Sequence, residues 1–169
     1  MALIERHTLI AAPIEQVYRI SQDYAVRYEW DPFPERIEPV AELAGPTGGL
    51  AVGSQVHIRS RLGMDMRVAF VQLQPPTRAA VKMVQGPWFL TKFAGSWVFQ
   101  AQSMDSTLAR FRYNIVARPG LLRGLIEPLA TLYFTRVVEK RLAGLKAFCE
   151  RPASPSGPLQ PPSDRYESS

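Results

Sequence analysis

The pattern of hydrophobic and polar positions is clearest in two neighbouring segments, residues 91–101 and 106–117, where the two kinds of residue alternate. Successive side chains of a β-strand point to opposite faces of the sheet, so each segment is predicted to be a strand with one apolar face. The apolar faces carry Phe93, Trp97 and Phe99 in the first segment and Ala109, Phe111, Tyr113 and Ile115 in the second. Polar residues occupy the opposite faces, as is typical of an antiparallel sheet covered on one side.

Shorter extended segments, separated by turns that contain glycine and proline, precede these two strands. The strands predicted among them cover residues 35–43, 55–62, 65–74 and 78–85. Residues 2–10 alternate in the same way and are predicted to form a further strand. Turns at such regular intervals indicate an antiparallel meander, so we predict a sheet of about seven strands.

Hydrophobic residues recur at helical spacing in three other segments. A short amphipathic helix is predicted over residues 11–20, and a second over residues 22–29, which the prolines after Trp30 bring to an end. Residues 121–150 are predicted to form a long helix that covers the aromatic face of the sheet. Pro128 lies inside this run and is expected to kink the helix or to begin its longer half. The apolar positions of the run are Leu122, Ile126, Leu129, Tyr133, Val137, Leu145 and Phe148.

Composition and charge narrow the class of protein. With 46% hydrophobic and 21% charged residues, the chain of 169 residues has a globular composition and can bury a sizeable core. The net charge of +5 comes from scattered basic residues, whereas nucleic-acid surfaces cluster their cations, so no nucleic-acid partner is predicted. The cations near the end of the chain, interpreted as the solvated face of the last helix, are Arg136, Lys140, Arg141 and Lys146.

We expect one domain over residues 1–150 and a disordered tail, rich in proline and serine, over residues 151–169. Glu5 and Arg6 interrupt the stretch that a signal peptide would need to be apolar. The longest apolar region falls short of the roughly 18 residues that a membrane-spanning helix requires. Cys149 is the single cysteine, which fits a reducing compartment, so a cytoplasmic protein without a transmembrane segment is predicted.

The polar residue types offer little for catalysis. His7 and His57 are the only histidines, and no spacing matches a metal-binding motif, so neither a metal nor a cofactor is predicted. His57 is interpreted as a solvent-facing strand residue, with a base inside a cavity as the alternative. Asp31 is interpreted as a turn or capping residue and Asp65 as a hairpin residue.

Five short motifs follow one another in a characteristic order. They are Ala12-Pro13-Ile14-Glu15-Gln16-Val17-Tyr18, Tyr28-Glu29-Trp30-Asp31-Pro32, Val52-Gly53-Ser54, Gly95-Ser96-Trp97-Val98-Phe99 and Arg141-Leu142-Ala143-Gly144-Leu145-Lys146. Over about residues 3–150 the chain resembles the START-like (SRPBCC) superfamily, in particular its polyketide cyclase/dehydrase and lipid-transport branch. The resemblance implies an α+β helix-grip fold, in which a curved antiparallel sheet wraps around a long C-terminal helix and two short helices follow the first strand.

The resemblance also implies a cavity between sheet and helix for an apolar molecule such as a lipid, a polyketide or a quinone. The candidate ligand-binding residues are Trp30, Trp88, Phe93, Trp97, Phe99, Phe111, Tyr113, Leu129 and Tyr133. Simple filling of the core explains each of the aromatic residues about equally well. Tyr113 and Tyr133 add hydroxyl groups from the sheet and the helix, so they are the expected polar contacts.

Three hypotheses for function follow from these residues. The first is the binding or carrying of a small hydrophobic molecule, which the lack of a catalytic constellation favours. The second is a cyclase- or dehydratase-like enzyme in which Tyr113, Tyr133 or His57 moves protons. The third is a module that docks to a partner or to an anionic membrane surface through the basic C-terminal helix face.

Overall fold

The computed structural model describes residues 2–39, 51–120 and 123–151, in which the chain forms seven strands and three helices. Their bounds are β1 (Ala2–Ile10), α1 (Ile14–Gln22), α2 (Arg27–Trp30), β2 (Pro34–Pro39), β3 (Gln55–Ser60), β4 (Asp65–Gln74), β5 (Arg78–Gln85), β6 (Leu90–Ser103), β7 (Ser106–Ala117) and α3 (Arg123–Cys149). Residues 152–169 of the predicted disordered tail and residues 40–43 of the second predicted strand lie outside the described residues.

The strands form one antiparallel sheet in the order β1-β7-β6-β5-β4-β3-β2. From β2 to β7 each strand pairs with the next one in the chain, and β1 closes the series by pairing with β7. The sheet curls into a half-barrel around α3, which contacts β1 and β7. The predicted α+β class and helix-grip fold are confirmed.

The alternation in β6 and β7 fixes which side chains face inward. Phe93, Trp97 and Phe99 are buried, whereas Lys92 and Gln100 are exposed, as predicted. In β7 the same holds for the buried residues Ala109, Phe111, Tyr113 and Ile115. The register places Trp97 opposite Phe111, so the aromatic residues of the two strands meet on the concave face.

The second short helix differs from its prediction. Helix α1 extends to Gln22 and ends because Asp23 has an extended backbone conformation. The carboxylate of Asp23 then accepts a hydrogen bond from the N–H of Ala25 at 2.9 Å, and such local bonds compete with helix formation. Helix α2 therefore covers only Arg27–Trp30, so the predicted start at residue 22 was wrong, whereas the helix ends before the prolines as predicted.

The face of α3 that packs on the sheet also differs from its prediction. Leu129 is 58% exposed and Tyr133 is partly exposed, although both belong to the predicted buried stripe. Val137 and Leu145 of the predicted stripe are buried, and the other buried residues of the helix include Phe134, Val138 and Leu142, together with Arg141. Both stripes are apolar and helically spaced, so periodicity alone did not choose between them. The helix runs through Pro128.

Gly144 lets α3 approach α2 at very close range. A Cβ atom added at this position would lie 2.0 Å from the carbonyl oxygen of Trp30, a backbone atom that cannot swing away. The absence of a side chain therefore sets the distance between α3 and the end of α2. Trp30 and the residue after it, Asp31, depend on this contact for their position.

We predict that Gly144→Ala lowers the free energy of unfolding by about 1–3 kcal/mol, the usual cost of overpacking, despite the better helix propensity of alanine. Gly124→Ala is the matched control in the same helix, because nothing lies within 4 Å of a Cβ there. The control is expected to be neutral or slightly stabilising. Denaturant unfolding of both variants measures the difference, and equal stabilities would contradict the role given to Gly144.

Candidate functional site

A cavity of about 50 Å³ lies between the concave face of the sheet and the three helices. Its walls are mainly apolar and include Phe33, Phe70, Phe93, Trp97 and Phe111, with Met66, Val68 and Val81 between them. Its polar lining residues are Gln22, Tyr24, Arg27, Asp31, Tyr113 and Arg141. An engineered cavity that holds benzene measures about 150 Å³, so this one accommodates a small functional group rather than an aromatic ring.

Asp31 is the centre of a buried charge cluster at the polar end of the cavity. Its side chain is fully buried, and its Oδ2 atom lies 2.8 Å from Nε of Arg27 and 2.8 Å from Nη2 of Arg141. Its other oxygen, Oδ1, accepts a hydrogen bond from the N–H of Phe33 at 3.1 Å. The carboxylate thus connects the end of α2 with the middle of α3 by charge-assisted hydrogen bonds.

Local sequence explains how the first arginine reaches this carboxylate. Arg27 and Asp31 are four residues apart, which places both side chains on one side of α2. Arg27 also donates a hydrogen bond from Nη1 to the carbonyl oxygen of Ser21 at 2.7 Å, and its guanidinium lies over the rings of Tyr24 and Trp30. These contacts hold the guanidinium in place even though α2 is only one turn long.

Arg141 reaches the cluster from α3. It pairs with Asp31 through Nη2 and donates a short hydrogen bond from Nη1 to the hydroxyl of Tyr113 on β7. Its guanidinium carbon lies 4.6 Å from the centre of the Phe111 ring, a cation–π arrangement. This one side chain therefore connects α3 to α2 and to the sheet at the inner end of the cavity.

The cluster controls the protonation of its members. Burial alone raises the pKa of Asp31, but Arg141, Arg27 and the N–H of Phe33 outweigh burial and hold that pKa below its ordinary value. Burial raises the pKa of Tyr113, although the nearby Arg141 guanidinium acts in the opposite direction. At neutral pH the site therefore contains an ionised carboxylate, two guanidinium cations and a protonated phenol.

Comparison with known proteins identifies the family to which the chain belongs. Residues 1–150 match the model of a family described as polyketide cyclase / dehydrase and lipid transport. The chain belongs to this family. The resemblance inferred from the five motifs is thus confirmed. A search of curated proteins found no match.

Solved structures with the same fold have low sequence identity to this chain. A START superfamily protein from Mycobacterium smegmatis is 16% identical with a TM-score of 0.70, over 88% of this chain and 97% of that one. The Zhui aromatase/cyclase from Streptomyces sp. R1128 is 18% identical with a TM-score of 0.71, over 89% and 94%. Truncated norcoclaurine synthase from Thalictrum flavum is 14% identical with a TM-score of 0.68, over 90% and 95%. At these identities the likeness shows the fold alone.

The structure places four of the predicted ligand-binding residues of this family member on the cavity wall, namely Phe93, Trp97, Phe111 and Tyr113. Trp30 and Phe99 are buried beside the wall, where both pack against Trp97. The remaining three lie elsewhere, since Tyr133 packs against Phe134 and is partly exposed, while Leu129 and Trp88 are 58% and 69% exposed.

His57 does not face the cavity. Its side chain is 41% exposed, and its Nε2 atom lies 3.4 Å from Oδ1 of Asp65. This position agrees with a solvent-facing strand residue, and His57 is not among the residues that line the cavity. Among the described residues, no group of three histidine, cysteine, aspartate or glutamate side chains could hold a metal ion. In the same ranges, no helix is long and apolar enough to cross a membrane.

Sequence reasoning missed the charge cluster. The prediction that Arg141 belongs to a solvated helix face was wrong, because only 6% of this residue is exposed, whereas Arg136 and Lys140 are exposed. Asp31 does act as a turn residue, because its carboxylate accepts a hydrogen bond from the N–H of Phe33, but its burial and its two arginine partners were not foreseen. One signal was available: position 141 falls on the same helical stripe as the buried residues Phe134, Val138 and Leu145.

We predict that Asp31→Asn lowers the free energy of unfolding at neutral pH by about 3–5 kcal/mol, because the two guanidinium cations lose their buried counter-charge. Glu139→Gln is the control, since it removes one member of an exposed ion pair with Arg6, worth at most about 1 kcal/mol. Chemical denaturation compares the two variants with the unchanged protein. An equal loss of unfolding free energy in both variants would contradict the prediction that the buried ion pairs of Asp31 contribute more than the exposed pair of Glu139.

The stability difference between the unchanged protein and Asp31→Asn is expected to depend on pH. The pKa of Asp31 is lower in the folded than in the unfolded chain, so its contribution is present above the unfolded value of about 3.9 and is lost as pH falls through the folded pKa. The pKa of Glu150 is also lowered, by its bonds to Ala11 and Lys146, so the difference between the two proteins is the informative quantity. A difference that stays constant down to acid unfolding would contradict the assignment.

Proposed function

We propose that the chain binds a small, largely apolar molecule in the cavity between the sheet and α3. The observation that carries this proposal is the pairing of aromatic walls with a few convergent polar groups at one end. Binding sites for small molecules typically combine these two features, since apolar walls supply affinity and polar groups set orientation. Membership of a family described by cyclisation, dehydration and lipid transport supports the same reading.

A ligand with a ring must enlarge the cavity as it enters. The available 50 Å³ is well below the volume of about 150 Å³ that accommodates benzene. Met66 on the wall can change its rotamer, since its unbranched side chain fits spaces of different shape. Gln22, Pro34 and Ile37 also line the cavity, so the apolar body of a ligand can extend along them.

Binding is better supported than catalysis. Of the residues considered for proton transfer, only Tyr113 lines the cavity. A cyclase-like reaction is the second candidate, and the observation that favours it is the hydrogen bond from Arg141 to the Tyr113 hydroxyl. That contact makes the phenol a stronger hydrogen-bond donor towards a substrate carbonyl.

The third hypothesis, a basic docking face on the last helix, loses support because Arg141 is buried.

The neutral dye N-phenyl-1-naphthylamine tests the proposed binding, because its fluorescence rises in apolar surroundings. We predict that Val81→Phe, which fills the cavity from β5, weakens dye binding by about tenfold or more, or about 1.4 kcal/mol. Val71→Phe is the matched control, because Val71 is 43% exposed and does not line the cavity. A fluorescence titration of the three proteins measures the dissociation constants. Absence of dye binding to the unchanged protein, or equal binding by both variants, would overturn the proposal.

A further inference from the structure

The polar end of the cavity presents hydrogen-bond donors that no described residue uses. The Arg141 side chain is only 7% exposed, and its Nε atom has no partner in the described ranges. The Tyr113 hydroxyl accepts a bond from Arg141, so its own proton remains available. Tyr24 also lines the cavity. A buried donor without an acceptor is costly, and a bound molecule can supply the acceptor.

The net charge of the same side chains also favours a bound molecule that carries a hydrogen-bond acceptor. Arg27 and Arg141 contribute two positive charges, and Asp31 contributes one negative charge, so the three side chains carry a net charge of +1. Among the described residues that line the cavity, Asp31 is the only carboxylate. Tyr24 and Tyr113 add no charge, because burial raises the pKa of each hydroxyl above its ordinary value. One positive charge is therefore left without a partner in apolar surroundings.

Such surroundings strengthen the attraction for an anion. The guanidinium of Arg141 lies over the Phe111 ring and is shielded from water, so its field is screened less than that of an arginine at the surface. A carboxylate needs about the space of one or two water molecules, which agrees with a cavity of 50 Å³. The head group of a ligand fits without rearrangement, and only its apolar body requires the walls to move.

We propose that the inner end of the cavity is an oxyanion-binding site and that the ligand is an aromatic carboxylic acid, bound as the carboxylate. One carboxylate oxygen accepts a hydrogen bond from the Nε–H of Arg141, and the other accepts a hydrogen bond from the Tyr113 hydroxyl. The aromatic body lies against Phe93 and Trp97. This inference rests on the proposed function, because it names the chemical class of the molecule that the cavity binds.

Three probes with the same naphthalene ring and similar size test the charge preference by titration calorimetry near neutral pH. They are 2-naphthoate, the neutral 2-naphthamide and the cationic 2-naphthylmethylammonium. The expected order of affinity follows that sequence, with naphthoate bound about tenfold or more tightly than the amide, because hydrogen bonds to charged groups are the stronger ones. Equal binding of all three would overturn the oxyanion site and leave the proposed function intact. Failure of all three, together with failure of N-phenyl-1-naphthylamine, would overturn both.

Three variants test which residues cause the preference for naphthoate. Tyr113→Phe keeps the ring and removes the donor, so it is expected to weaken naphthoate binding by about tenfold. Arg141→Lys keeps the charge and removes Nε, with a similar expected loss. The control Arg112→Gln removes an exposed cation on the outer sheet face and is expected to leave naphthoate binding unchanged. Loss of binding in Arg112→Gln, with retention in Tyr113→Phe, would assign the preference to surface charge and overturn the proposal.

A spectroscopic measurement on the unchanged protein remains decisive if Arg141→Lys does not fold. The 15N resonance of Arg141 Nε is expected to shift on addition of naphthoate and to stay in place on addition of the ammonium compound. The same resonance is measured in a folded Tyr113→Phe protein for comparison. This variant lacks the Tyr113 hydroxyl but retains the Nε–H donor of Arg141. An unchanged Nε resonance in the unchanged protein saturated with naphthoate would overturn the assignment of Arg141.

Discussion

The carboxylate of Asp31, held between the guanidinium groups of Arg27 and Arg141, is the interaction on which the site depends. It connects a one-turn helix to the long C-terminal helix, and Arg141 continues the connection to the sheet through Tyr113. Placing three charges in an apolar interior has a large desolvation cost, so the cluster is stable only while each member keeps its partners. The missing side chain of Gly144 permits the short distance that brings α2 and α3 together.

This cluster makes one part of the cavity polar and the rest apolar, so it can orient a ligand. Aromatic walls attract any apolar molecule, whereas the unpartnered Nε of Arg141 and one excess positive charge belong to the charge cluster around Asp31. A ligand that carried its acceptor elsewhere would leave that end unsatisfied, so polarity sets orientation while the walls set affinity. The small volume adds a further constraint, since binding of a ring requires side chains to move.

The neighbours of this chain show why the fold cannot supply the function. An aromatase/cyclase and a norcoclaurine synthase share the architecture at 18% and 14% identity. The same half-barrel and helix therefore hold different sets of side chains, and chemistry depends on those sets rather than on the backbone. In this chain the set includes a net cationic cluster at the end of an aromatic cavity, which is the basis for the proposed ligand class.

The sequence by itself determined the strands, their meander, the aromatic face of β6 and β7 and the family, because alternation and motif order are local properties of the chain. Only the tertiary structure decided which stripe of α3 is buried, since two apolar stripes were available, and thereby moved Arg141 from the predicted surface to the core. It also excluded Trp88 and Leu129 from the cavity and revealed the partners of Asp31. Pairing between residues 110 positions apart depends on how two helices and a sheet pack, and no local pattern encodes that geometry.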